Sequence, residues 1–92
     1  MKIPKKILLK KLTEFVTECK NEQALNSFFK ELLRVDRIEL GSSEQIVVTM
    51  DGNRKDYSPD ELVAYMLDHV EDQGLIRKTV SHVKENFDYK KA

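Results

Sequence analysis

"QIVVTMDGNRKDYSPDEL", Gln45 to Leu62, decides the fold of this chain, because a hairpin and a helix start meet inside it. Residues 45–50 are β-branched and nearly all apolar, the composition of a strand with a buried face. Asp51-Gly52-Asn53 is a hairpin signal: primed two-residue turns need positive φ, which Gly, Asn and Asp tolerate. Arg54 to Tyr57 is then the return strand. In either two-residue-turn register Tyr57 falls on the face of Ile46, Val48 and Met50 and can cap the core. At Ser58 the pattern turns helical. Ser58 is the N-cap, Pro59 takes the first helical position, and Glu61 closes a capping box. The same stretch does not make a calcium loop. A twelve-residue loop starting at Asp51 needs Gly at its sixth position and a bidentate Glu at its twelfth, and finds Asp56 and Leu62.

Reading outward from this junction gives the rest of the chain. Val35, Ile38 and Leu40 bound a shorter strand and Gly41-Ser42-Ser43 is a turn, so residues 35–57 form a β-meander of about three strands. Upstream, Leu8, Leu12, Phe15, Val16 and Cys19 recur on one helical face, with Pro4 in the first turn. Asn21 is the N-cap of a second helix, whose face is Leu25, Phe28, Phe29, Leu32 and Leu33. Residues 5–34 thus read as a helical hairpin. Downstream, Leu62, Val63, Met66 and Val70, with Tyr65 beside them, form the stripe of a third helix, and Gly74 is expected to end it as a left-handed cap. Ile76, Val80, Val83 and Phe87 form the stripe of a fourth. Residues 58–87 are the second helix pair, and 88–92 are expected to fray. The fold class is α+β in the order ααβββαα, one domain over residues 1–92.

Composition narrows the function classes. Charged residues make up 35% and hydrophobic residues 40% of the 92, which suits a folded, soluble protein of the cytoplasm. A chain this short buries only about 60–65% of its unfolded surface, so a thin core is expected. One Cys rules out a disulfide framework and a Cys-based zinc site. "MKIPKKILLKKL" opens like a signal peptide, but the apolar run stops at Lys10-Lys11, and no stretch is long enough to span a membrane. The basic first helix has the two faces of a membrane-surface helix. Glu14, Glu18 and two Thr dilute its polar side, however, and its stripe is what a core helix needs, so no membrane partner is expected.

The net charge of zero hides an uneven distribution. Residues 1–20 carry six Lys against two Glu. Residues 58–76 carry Asp60, Glu61, Asp68, Glu71 and Asp72 with no base, and residues 77–92 carry five bases against two acids. Separate solvated helix faces account for this pattern. A basic patch assembled from both termini is the sharper alternative.

Gly74 to Phe87 has the look of a recognition helix. Gly74, Leu75, Val80 and Val83 match the spacing of a helix-turn-helix, and Arg77, Lys78, Ser81 and Lys84 would then face a groove, helped by Lys5 and Lys6. The preceding segment fits less well, offering His69, Val70 and Gln73 where small and apolar residues are wanted. Its five acids would repel phosphates. No Gly-rich phosphate loop, nucleophile elbow or ligand-spaced His pair occurs, so no enzymatic activity, metal or cofactor is expected. The function expected is therefore a small non-enzymatic intracellular adaptor or regulator acting by protein–protein contact, with self-association into a homodimer as one route. The alternative is a nucleic-acid-binding regulator with a degenerate helix-turn-helix in residues 59–87.

Overall fold

The computed structural model describes residues 2–91. The elements run α1 (Lys5–Glu18), α2 (Glu22–Leu33), β1 (Arg37–Leu40), β2 (Ile46–Met50), β3 (Asn53–Tyr57), α3 (Pro59–His69) and α4 (Gln73–Asn86). This is the α+β order expected, built on an antiparallel meander with strand order β1-β2-β3.

Local chemistry explains most boundaries. Asp51 (φ 52°) and Gly52 (φ 79°) both lie in the left-handed region, so β2 and β3 are joined by a type I′ turn, one of the primed pair whose twist matches the strands. Tyr57 pairs with Ile46 and Lys55 with Val48, which places Tyr57 on the core-facing side as the alternation requires. Asn21 caps α2, its side chain accepting the Ala24 N–H at 3.1 Å. Ser58 caps α3 with both halves of the capping box in place and Pro59 at the first position. Pro4 is the N-cap of α1 rather than part of its first turn, and its carbonyl accepts the N–H groups of Ile7 and Leu8.

The left-handed cap expected at Gly74 is absent. Among the described residues Gly52 is the glycine with positive φ, and Gly74 lies inside the first turn of α4. The helix break comes earlier. Val70 is extended (φ −124°, ψ 107°), and Asp72 then caps α4 by accepting the Leu75 N–H at 3.1 Å. An acid at the positive end of a helix starts it efficiently, so α4 is under way before the chain reaches Gly74. Val70 is only half-buried, and Leu67 takes its place on the core side of α3; likewise Thr79 is buried on α4 where Val80 is half-exposed. Thr79 tolerates burial because its hydroxyl donates to the Leu75 carbonyl at 2.7 Å.

The tail is also tied rather than frayed. The Tyr89 carbonyl accepts the Lys20 N–H at 2.6 Å and the Asn21 N–H at 3.3 Å, and its ring lies 5.3 Å from that of Phe15. Ala92, the end of the expected frayed segment, lies outside the described residues.

Helices joined by the short turns are not the ones that run along each other. α1 lies along α3, and α2 lies against β1 and α4. Between them Leu25, Phe28, Phe29, Leu62, Val63 and Met66 are fully buried, with Phe28 edge-on to both Phe15 and Phe29. The radius of gyration is 12.3 Å, which is about what a compact chain of this length should have. The core is thus closed within the chain.

Candidate contact surface at the sheet edge

Hydrogen-bond alternation in the meander fixes where each backbone group points. A two-residue turn makes Met50 and Asn53 a hydrogen-bonded pair, so Val48–Lys55 and Ile46–Tyr57 are hydrogen-bonded too. The N–H and C=O of Arg54 and Asp56 therefore point away from β2. On the other side of β2 the same alternation turns Ile38 and Leu40 outward from the sheet.

The two edges are finished differently. At β1, the side-chain amide of Asn26 on α2 acts as a substitute strand: its Oδ1 accepts the Ile38 N–H at 2.8 Å and its Nδ2 donates to the Ile38 carbonyl at 2.6 Å. Glu22 Oε2 accepts the Leu40 N–H at 3.3 Å. At β3 nothing comparable occurs. Among the described residues the outward backbone groups of Arg54 and Asp56 have no partner, and Asn53 to Asp56 are exposed on both faces.

On the helix side of this open edge lie the half-buried rings of Tyr57 and Tyr65, with exposed His69 beyond them. Tyr57, Tyr65 and His69 form a ladder with ring centroids 6.0 Å and 4.3 Å apart. The Tyr65 hydroxyl donates to Met50 Sδ at 3.9 Å, and Lys55 Nζ lies 5.1 Å from the Tyr57 ring centroid. On the opposite face Arg54 and Arg37 both reach Glu39 at 3.6 Å. Asp56, beside them, has no cation within ion-pair distance among the described residues. Just past the edge, the Ser58 hydroxyl holds the Asp60 carboxyl below its ordinary range, and Glu61 is lowered by the Ser58 N–H and then by its hydroxyl.

The residues with a nucleic-acid reading are placed as follows. Arg77, Lys78, Ser81 and Lys84 are all exposed on α4. Lys84 leans over the edge of the core, 5.8 Å from the Phe15 ring centroid. Lys78 lines an open groove of about 340 Å³ between α2 and α4, with Ser27, Glu31, Leu75 and His82. Lys5 is paired with Asp68 at 2.6 Å, which lowers the Asp68 carboxyl, while Lys6 is exposed. Ile3 anchors the N-terminal segment to the start of α4 by exchanging two hydrogen bonds with the Gln73 amide, at 2.9 and 2.8 Å. Of the acids of the α3–α4 region, Asp68 and Glu71 thus sit next to the N-terminal lysines. Of the two helices of the supposed helix-turn-helix, α3 packs chiefly along α1 and α4 chiefly along α2.

Other reactive groups are engaged locally. Cys19 is buried, and desolvation pushes its thiol up, away from the thiolate. His69 lies with Nδ1 2.8 Å from the Tyr65 carbonyl, and His82 contacts Asn86. No group of three or more His, Cys, Asp or Glu among the described residues is arranged to hold a metal. The sequence pointed to the strands but not to the open edge. The one signal was the run of exposed charges Arg54-Lys55-Asp56, which is how edge strands are usually marked. No family model, no curated protein and no solved structure matches this chain.

Proposed function

We propose that this protein is a small, non-enzymatic contact module that works inside the cell and receives an extended segment of a protein partner along β3. The observation that carries the reading is the asymmetry of the sheet. The β1 edge is closed by Asn26 and Glu22, whereas β3 keeps the N–H and C=O of Arg54 and Asp56 open. Strand addition uses such groups for affinity and neighbouring side-chain sites for selectivity. Here Met50, Tyr57 and Tyr65 supply a half-buried apolar surface next to the edge. The closed core argues for an edge rather than a missing core wall as the contact. A single buried Cys and a highly charged surface suit a reducing compartment. No helix among the described residues is long and apolar enough to cross a membrane.

Asp56→Pro tests the reading. The Asp56 N–H points away from β2, so proline there removes an edge donor and spares the ladder. Partners captured from nuclease-treated extract are to be reconstituted with the purified protein. Binding lost in Asp56→Pro and kept in Arg77→Ala/Lys78→Ala is the expected outcome. The nucleic-acid reading predicts the reverse: capture that depends on nucleic acid and fails in the α4 double variant. For the wild type on random duplex DNA we expect only non-specific binding, with Kd no tighter than about 10⁻⁴–10⁻⁶ M at physiological salt. Nanomolar selection of one sequence would replace the contact reading.

A further inference from the structure

We propose that the segment received by β3 is the β3 strand of a second copy of this chain, paired antiparallel about a two-fold axis at Lys55. The inference rests on the contact-module reading and names its partner. In this register Arg54 of each copy lies opposite Asp56 of the other. Both residues have outward-pointing backbone groups, so each pair exchanges its N–H···O=C bonds and the two sheets become one. Both side chains lie on the open face of the sheet, where Asp56 has no cation of its own copy. Arg54 reaches Glu39 through one guanidinium nitrogen, Nη2, and a guanidinium offers five donors, so a second carboxylate can be served.

The charge pattern also sets the register. A shift of two residues one way puts Arg54 against Arg54, and the other way puts Asp56 against Asp56, and directly opposed like charges are destabilising. A shift of one residue brings up backbone groups already used by β2. Edge charges of one sign keep copies apart; here the two signs make the edge complementary to itself. Space is available at the axis. Asn53 and Lys55 point to the helix side and are exposed, so the helix layer, which meets β3 at Tyr57, leaves the strand uncovered at these two residues. The cost of the arrangement is Lys55 facing Lys55 on the axis. Each ammonium is drawn along its own strand toward Tyr57, which eases the repulsion without removing it.

Sedimentation equilibrium of the full chain tests this, with circular dichroism as a check that each variant is folded. The wild type should self-associate. Arg54→Glu alone and Asp56→Lys alone should each weaken association at least about tenfold, since each turns two attractive cross-strand pairs into repulsive ones. An equimolar mixture of the two variants should regain the dimer as a heterodimer. There the introduced carboxylate of one variant meets the introduced ammonium of the other, and the remaining native Asp56 meets the remaining native Arg54. Lys55→Thr should tighten the dimer by removing the charge clash on the axis. A monomeric wild type overturns the proposal, as does a dimer indifferent to both reversals or a mixture that stays monomeric. A wild type that is monomeric yet still loses an outside partner on Asp56→Pro overturns self-pairing alone and leaves the contact module standing.

Discussion

Ser58 shows how much one side chain can organise. Its Oγ accepts the Glu61 N–H at 3.4 Å, and its hydroxyl proton has two carboxylates in reach, Asp60 at 2.6 Å and Glu61 at 2.8 Å. Ser58→Ala should lower stability by about 0.5–2 kcal/mol, read from the denaturant midpoint. The same contacts hold Asp60 and Glu61 below their ordinary carboxylate range. Stability contributed by a depressed carboxyl is complete above its unfolded pKa and is lost as pH falls through its folded one. Acid titration of the wild type should therefore show a loss in that window. In Ser58→Ala the loss should be shallower, mainly through Asp60, whose shift comes first from the Ser58 side chain. Gly74 gives the opposite lesson. With helical φ in the first turn of α4 it has no need to be glycine. An added Cβ would lie 3.2 Å from Asp72 Oδ1, an exposed side chain able to yield by a few tenths of an ångström. Gly74→Ala should stabilise by a few tenths of a kcal/mol through helix propensity, within the ceiling of about 1 kcal/mol. A destabilisation beyond about 1 kcal/mol in thermal or denaturant unfolding would mean that the Asp72 cap cannot give way.

Between elements, the decisive contact is Asn26 against β1. One side-chain amide satisfies both the N–H and the C=O of Ile38, a residue with no exposed surface. Asn26→Ala leaves both groups part-buried and unpaired, at about 1–3 kcal/mol for an orphaned group. It also reopens an edge, so a faster loss of soluble protein on heating should accompany the drop in stability. Asn26→Asp keeps the acceptor for the Ile38 N–H but turns a carboxylate toward the carbonyl, so it should rescue little. If Asn26→Ala leaves the unfolding midpoint unchanged, α2 does not close this edge.

Across the whole molecule, the segment that follows α4 is part of the packing. Tyr89 covers Phe15, and its carbonyl serves the N–H groups of Lys20 and Asn21 in the α1–α2 turn, joining the last residues to the first helix pair. Tyr89→Ala should cost the ring's buried area plus about 0.5–1.5 kcal/mol for the aromatic pair. Removing everything after Phe87 should cost more, because two backbone N–H groups lose their acceptor as well. Equal stability of the full and truncated chains in calorimetry would detach the tail from the core.

What the sequence determined by itself was the kind and order of the elements: a primed turn within Asp51-Gly52-Asn53, the caps at Asn21 and Ser58, and the alternation that sends Tyr57 inward. Each is set by φ preference, capping chemistry or side-chain period within a few residues, and such local terms are carried by the chain wherever it goes. The tertiary structure alone decided which helices run together, that Asp72 starts α4 ahead of Gly74, that Lys5 is paired with Asp68, and that the tail is held. It also decided which sheet edge is open. Nothing near Ile38 in sequence announces that Asn26 will hydrogen-bond to it, and nothing near Asp56 announces that no such residue will arrive. An edge is open or closed according to what a distant element brings to it, and that depends on the path of the backbone through space rather than on any local run of residues.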